Sequence, residues 1–402
     1  MTLRVIAGIV GVVILAVVGR ALLLELLVPR PTTSIFTHLI RGTTQAMISL
    51  IVRLVPGYNA QHRYLTGLGP IVVMAMLFVA VLGFLLGFSL LIYALDGSSM
   101  MSALLQSGSA LLTLGIVQVE DPGQVIVTLF AAFTGMVIIA VLVGYLLLLF
   151  SAYNAREAGV TKSTMWAGEP AWGPELLCRR ALGGDGQLEP QGDGWLDWVC
   201  ELRVWHTTYP VLAYFRSAGP LRGWVTTLVA RLDAACLELA VVRHKNAGDL
   251  SALLAEGVQT MEVLRKTLTR VPHPMPIDPD ATWPPLSADG LKRPGEALYR
   301  AIRSDGQRST RFRSPIQPDG GMSTLTREDF DRAVDLMRKA GIDVRHDMDH
   351  AWGHFRHLRG QYEANAYVIA ERVHAVPAPW TGPRRVPLET VWPTVSVELL
   401  DG

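Results

Sequence analysis

Two long stretches without a charged side chain constrain this chain more than any other feature. They cover residues 68–95 and 123–150, 28 residues each. A helix needs about 20 apolar residues to cross the roughly 30 Å hydrocarbon core of a bilayer. The sequence therefore predicts two membrane-spanning helices, and it argues against an ordinary soluble protein.

A third apolar run covers residues 5–28 and is also long enough to span a membrane. Arg20 and Glu25 interrupt it, so spanning requires their side chains to reach the interface or to face protein partners. We expect a third membrane helix within residues 1–30. A cleaved signal peptide is the alternative, because Arg4 precedes the apolar run, although no clear small-x-small cleavage site follows.

The charges between these helices predict their orientation. Residues 29–67 carry four arginines and no acid, whereas residues 96–122 carry three acids and no base. Short cytoplasmic loops are the ones that retain Arg and Lys. We therefore expect the first loop and everything after residue 150 to be cytosolic, and the N-terminus and the second loop to lie outside a plasma (inner) membrane.

The cytoplasmic loop, residues 31–67, has a helical apolar pattern of its own. Its apolar residues recur at intervals of one, three, four and seven, which places them on one side of a helix. This side comprises Ile35, Leu39, Ile40, Met47, Leu50, Ile51 and Leu54. An amphipathic helix in the membrane interface fits this pattern, and so does a helix that packs on the cytosolic domain.

The segment between the two charge-free helices, residues 96–122, is too apolar for an exposed loop. Ser98 or Ser99 is suited to cap a helix that begins at Met100, and an extended turn with a glycine follows at residues 113–115. A short helix that enters the membrane and returns as non-helical backbone would bury these groups. Such backbone is tolerated at membrane depth only inside protein or along a water-filled path, which predicts a pore.

This order of elements resembles the pore domain of the potassium-channel superfamily over about residues 65–150. The outer helix would be 68–95, the pore helix 99–112, the filter 113–117 and the inner helix 123–150. The resemblance implies an all-α membrane protein that assembles as a homotetramer in the lipid bilayer and conducts a monovalent cation, potassium in most of the family. Gly135 lies where the family commonly has a hinge glycine in the inner helix; close helix packing is the alternative.

The candidate filter departs from the Thr-Val-Gly-Tyr-Gly sequence of the family, whose carbonyl groups replace the water shell of the ion. Its residues here are Thr113, Leu114, Gly115, Ile116 and Val117. Val117 replaces the second glycine, and a β-branched residue disfavours the positive φ that glycine supplies. We therefore expect two or three carbonyl levels instead of four, and weaker discrimination against sodium. Three acids, Asp96, Glu120 and Asp121, are expected at the outer mouth, where they favour cations.

The cytosolic part is predicted to be mainly helical. Residues 151–271 show helical periodicity over 196–216, 221–244 and 250–270 and predict a bundle, with a Gly- and Pro-rich connector at 168–194. Residues 272–322 contain nine prolines and predict a partly disordered linker. Arginines at 300, 303, 308, 311 and 313 suit an anionic lipid or a nucleotide phosphate, or form a solvated run of charge.

Residues 323–402 are expected to hold C-terminal helices and a tail. A capped helix begins near Thr326, and one long helix is predicted over about 343–375. Four histidines, His346, His350, His354 and His357, would share the face of that helix opposite its apolar side. Their spacing suits a metal site or a pH-sensitive surface, and a solvated or subunit-contact face is the third interpretation.

Other classes of function find no support in the sequence. The net charge of +1 gives no argument for nucleic acid, and three well-separated cysteines form no metal-binding pattern. No glycine-rich phosphate loop or catalytic motif is present, so we expect neither an enzyme nor a cofactor. The predicted function is a potassium-channel-like tetrameric cation channel. The alternative is a non-conducting, membrane-anchored scaffold or sensor that acts through its cytosolic helical domain.

Overall fold

The computed structural model describes residues 2–26, 35–55, 58–97, 99–183, 194–243, 247–269 and 325–375. Within these ranges the regular structure is helical, apart from one isolated bridge between Val242 and Val344. The α-helices are α1 (Thr2–Leu26), α2 (Ile35–Leu54), α3 (Tyr58–Leu65), α4 (Leu68–Asp96), α5 (Met100–Leu111), α6 (Pro122–Ala167), α7 (Gly173–Gly183), α8 (Gly194–Thr208), α9 (Trp224–Val241), α10 (Gly248–Leu268), α11 (Arg327–Lys339), α12 (Met348–Gly360) and α13 (Glu363–Arg372). A 3-10 helix, Pro210–Tyr214, follows α8.

Three helices, α1, α4 and α6, are long and apolar enough to cross a membrane. The three predicted spans are confirmed at this level. Helix α6 is longer than the predicted span 123–150, since it continues past residue 150 to Ala167. It has 46 residues, which gives a length of roughly 70 Å at 1.5 Å per residue. It ends where Gly168 adopts a φ of +71°, two residues before Pro170, which cannot continue a helix.

The chain divides into two compact units. The first comprises Met1–Met47 and Gly67–Tyr153, and the second comprises Ile48–Thr66 and Asn154–Gly402. The first unit therefore contains α1, the first part of α2, α4, α5 and the apolar part of α6. The second contains the last turns of α2 and of α6 and the remaining helices.

Glycines let α1 and α4 approach closely in the first unit. A Cβ atom on Gly87 would lie 2.7 Å from the side chain of Leu15, and one on Gly83 would lie 2.7 Å from that of Val18. The contacts run in opposite sequence order, so the two helices are antiparallel. Gly83 and Gly87 are four residues apart and form the small-xxx-small pattern that brings membrane helices together.

The second unit is built around α9. Seventeen of its 18 residues are buried, and it packs against α7, α10, α12 and α13. Most of its side chains are apolar, as expected of a helix at the centre of a core. Arg156, on the last turns of α6, is also buried and donates hydrogen bonds to the carbonyl groups of Leu212 (2.9 Å) and Phe215 (2.7 Å). This residue fixes the end of α6 to the segment around the 3-10 helix.

A buried group of charged side chains joins three helices of this unit. Arg359 on α12 pairs with Asp233 on α9 at 2.9 Å and with Glu363 on α13 at 2.5 Å. The Tyr362 hydroxyl also donates to Asp233, at 2.5 Å. All four residues are at most 2% exposed, so water does not solvate them. The positive charge of Arg359 and the two carboxylates stabilise one another instead.

Two expectations for the C-terminal half are wrong in detail. The Gly- and Pro-rich connector contains a helix, α7, because Leu176, Leu177 and Ala181 supply a fully buried apolar face despite the glycines around them. The expected helix over 196–216 ends at Thr208, because Pro210 lacks the N–H group that a continuing helix requires.

The long helix predicted over 343–375 is two helices, α12 and α13, with a break at Gln361 and Tyr362. The N–H groups of both residues donate to carbonyl groups two or three positions back instead of four. This break lies inside the buried charged group, and it places Tyr362 and Arg359 on the same carboxylate of Asp233. A tertiary contact therefore overrides the continuous helical pattern of the sequence.

The cytoplasmic loop forms helices α2 and α3, and its second half belongs to the second unit. Gln61 on α3 contacts His374 at 2.9 Å, and Arg216 donates to His62 at 3.0 Å. These contacts favour the alternative in which the loop packs on the helical domain. The predicted linker at 272–322, with its arginines, lies outside the described residues.

Candidate functional site

The short helix α5, Met100–Leu111, lies between α4 and α6 in the chain, within the residues that the sequence predicts as a pore helix. Ser99 caps its N-terminus by accepting a hydrogen bond from the N–H of Ser102 at 3.2 Å. The preceding helix, α4, ends at Gly97, whose φ of +68° gives the left-handed cap that glycine favours. The sequence prediction of Ser98 or Ser99 as the cap is confirmed for Ser99.

Two polar side chains fix α5 between its neighbours. The Ser107 hydroxyl donates to the carbonyl of Leu85 on α4 at 3.0 Å. The Gln106 amide donates to the Thr128 hydroxyl on α6, also at 3.0 Å. Gln106 and Ser107 are buried, so each bond satisfies a group that would otherwise be costly to place in an apolar environment.

The C-terminal end of α5 lies directly against Gly135 of α6. A Cβ atom on Gly135 would overlap the carbonyl oxygen of Leu111 and would lie 2.9 Å from its carbonyl carbon. Helix α6 continues through this position without a break. The contact with Leu111 therefore supports the close-packing interpretation of Gly135. The unbroken helix gives no support to the predicted hinge role.

The chain after α5 turns back on the last turn of that helix. The N–H groups of Leu114 and Gly115 donate to the carbonyl oxygen of Ser109 at 2.8 and 3.4 Å. The next N–H group, that of Ile116, donates to the Ser109 hydroxyl at 2.9 Å. Three successive amides therefore face one residue of α5.

The direction of the carbonyl groups follows from this arrangement. These peptide bonds are trans, since the one cis bond among the described residues precedes Pro170. In a planar trans peptide the C=O of one residue points opposite to the N–H of the next. The carbonyl groups of Thr113, Leu114 and Gly115 therefore point together, away from α5.

The backbone conformation explains how successive carbonyls share a direction. Thr113 has a φ of +56° and Gly115 a φ of +66°, so every second residue is left-handed. Glycine adopts this region readily, but a β-branched threonine is strained there. Such strain costs of order 1–3 kcal/mol and tends to occur at functional sites. Val117 does not have a positive φ, as expected of a β-branched residue.

The described side chains of the remaining predicted site residues are exposed. Leu114 is 58% and Ile116 68% exposed within the single chain. Glu120 and Asp121 are exposed as well, and Asp121 accepts a hydrogen bond from the N–H of Gln124 at 3.0 Å, at the start of α6. The side chain of Asp96, the third acid predicted at the outer mouth, lies outside the described residues.

The structure does not bring the four predicted metal ligands together. His346 precedes α12, while His350 and His354 lie one turn apart on it with ring centres separated by 6.5 Å. Among the described residues, no group of three or more His, Cys, Asp or Glu side chains is arranged to hold a metal ion. Burial lowers the pKa of His354, and the nearby His350, Arg345 and His357 lower it further.

Sequence reasoning missed Ser109, which holds the loop. Serine at the end of a helix is common, and four serines lie between residues 99 and 109. Nothing in their spacing distinguishes Ser109, because its partners are defined only when the chain folds back on α5.

Comparison of the chain with protein-family models, with curated proteins and with solved structures finds no match.

Proposed function

We propose that this protein is the subunit of a tetrameric cation channel, in which the carbonyl groups of Thr113, Leu114 and Gly115 line the narrowest passage. One observation carries the proposal: three successive amides donate to Ser109, so three successive carbonyls are presented on the opposite side. A loop that only packs has no need of this arrangement, in which the carbonyl groups of Thr113, Leu114 and Gly115 accept no backbone hydrogen bond from the described residues.

The electrostatics of the loop favour a cation. Aligned carbonyl oxygens replace the water shell of a cation, as in potassium-selective filters. The C-terminal end of α5, which carries the negative end of a helix dipole, leads into the loop. Glu120 and Asp121 follow it with no basic residue between 96 and 122. An anion would be repelled at each of these positions, because each carries a negative charge or a negative partial charge.

The number of carbonyl levels sets the expected selectivity. Three aligned carbonyls give three rings in a tetramer, whereas the full family sequence supplies four. With fewer fixed dipoles around the ion, discrimination between potassium and sodium weakens. We therefore propose monovalent cations as the transported species, with potassium preferred over sodium only modestly.

Four copies are required because one loop cannot enclose a passage. The apolar surface of α6 supports assembly, since only 17% of its most apolar stretch is buried within the chain, against 39% for that of α4. Lipid and neighbouring subunits are the surfaces that would cover the remainder. The antiparallel contact of α1 and α4 fits two successive membrane crossings. In the orientation proposed from loop charges, the N-terminus is external and α5 enters the membrane from the same side.

Ion flux into liposomes that contain the purified protein tests this proposal. We expect potassium and sodium uptake that Gly115→Asp and Thr113→Trp abolish while the size-exclusion profile stays unchanged. Gly353→Asp is the matched control, because Gly353 is exposed on α12 with nothing near its Cβ position. If wild-type protein of the correct size shows no flux between pH 5 and 8, the channel proposal is wrong and the scaffold or sensor alternative replaces it.

A further inference from the structure

We infer that the Ser109 hydroxyl is the positioning group that sets how well the pore distinguishes potassium from sodium. This inference rests on the proposed function and assigns the role to a side chain that does not touch the ion path. Ser109 is 4% exposed and lies behind the loop, on the side opposite to the aligned carbonyl groups.

Ser109 holds the loop through two different kinds of atom. Its carbonyl oxygen accepts from Leu114 and Gly115, and as one of the last carbonyls of α5 it has no partner within the helix. Its hydroxyl accepts from the N–H of Ile116. Ser109→Ala therefore keeps the two backbone bonds and removes the outermost bond alone.

The outermost bond controls the outermost carbonyl. The N–H of Ile116 and the C=O of Gly115 belong to the same peptide plane, so the plane cannot rotate while the hydroxyl holds the N–H. Rotation of this plane changes ψ of Gly115 and φ of Ile116. Gly115 has no Cβ atom to restrict its ψ, and no atom lies within 4 Å of the position that a Cβ would occupy. Without the Ser109 hydroxyl, the third ring of carbonyls loses its fixed direction.

The loss of one ring out of three changes selectivity more than conduction. Thr113 and Leu114 would still present two rings, so ions would still pass. Loss of one neutral hydrogen bond, such as that between the Ile116 N–H and the Ser109 hydroxyl, changes an equilibrium constant by about two- to tenfold. We expect the potassium-to-sodium permeability ratio to fall by that factor, toward equal permeability, in Ser109→Ala.

Three variants on α5 separate this role from a general packing role. Ser109→Ala removes the hydroxyl, Ser109→Thr keeps it, and Ser102→Ala removes an exposed serine hydroxyl from the same helix. The readouts are the permeability ratio in liposomes and the amount of assembled protein by size exclusion. We expect a lower ratio in Ser109→Ala only, with the ratio of Ser109→Thr close to that of the wild type.

A backbone substitution keeps the inference testable if Ser109→Ala fails to assemble. Replacement of Ile116 by its α-hydroxy acid turns the amide into an ester, which removes the donor and leaves every side chain in place. The same fall in permeability ratio supports the inference. Wild-type flux with an unchanged ratio in both altered proteins overturns it while the channel proposal stands, whereas absence of wild-type flux overturns the channel proposal first and this inference with it.

Discussion

Substitution of Gly135 by alanine tests whether this glycine exists for close packing. The added Cβ would lie 2.9 Å from the carbonyl carbon of Leu111 and closer still to its oxygen. Carbon atoms in contact prefer a separation of about 3.5–4.0 Å, so the end of α5 must retreat by at least about 0.6 Å. Overpacking of this kind costs about 1–3 kcal/mol, and the displaced residues lead directly into Thr113.

Gly144 provides the matched control on the same helix. No atom lies within 4 Å of its Cβ position, so alanine there adds no clash and gains up to about 1 kcal/mol of helix propensity. We expect Gly135→Ala to lower the temperature at which half of the detergent-solubilised protein is lost from its size-exclusion peak, and Gly144→Ala to leave or raise it. Ion flux should fall in Gly135→Ala alone. Equal thermal stability of the two variants would refute the packing argument. Loss of flux in Gly135→Ala without loss of stability would favour the hinge role.

Two further predictions concern the second unit. Arg359→Met leaves the carboxylates of Asp233 and Glu363 buried without their cation. We expect the free energy of unfolding, measured in urea, to fall by about 3–5 kcal/mol. The control Arg332→Met, at an exposed residue, should change it by less than about 0.5 kcal/mol. Burial raises the pKa of Glu175 to about 7, although Arg179 acts to lower it. The folded chain therefore favours the protonated carboxyl group. The stability that this group contributes is lost as the pH rises from about 4.5 to about 7. The Tm advantage of Glu175→Gln over the wild type should therefore grow between pH 5 and pH 8, and a constant difference would contradict the raised pKa.

The buried histidines act in the opposite direction and must be separated from Glu175. Burial lowers the pKa of His206 to about 3, and burial also lowers the pKa of His354. The folded chain therefore favours their neutral forms, and the stability they contribute is lost as the pH falls below about 6.5. Comparison of Glu175→Gln with the wild type at each pH cancels this effect, because both proteins keep the same histidines.

The sequence by itself determined the features that depend on local chemistry. Charge-free runs of 28 residues are long enough to span a bilayer whatever surrounds them, so α4 and α6 were predictable. The shorter apolar run at residues 5–28 predicted α1 in spite of Arg20 and Glu25. The cap at Ser99 and the capping box at Thr326 were predictable for the same reason, because their partners lie three residues away in the chain.

Tertiary structure decided what depends on residues distant in the sequence. The left-handed Thr113 and the contact of Leu111 with Gly135 arise where α5 meets its own returning chain and α6, and no periodicity encodes that meeting. The break of the histidine-bearing helix has the same origin, since Arg359 and Tyr362 both reach Asp233, more than 120 residues earlier in the chain. Local propensity is worth a few tenths of a kcal/mol per residue, whereas satisfying a buried charge is worth several, so the distant contact prevails.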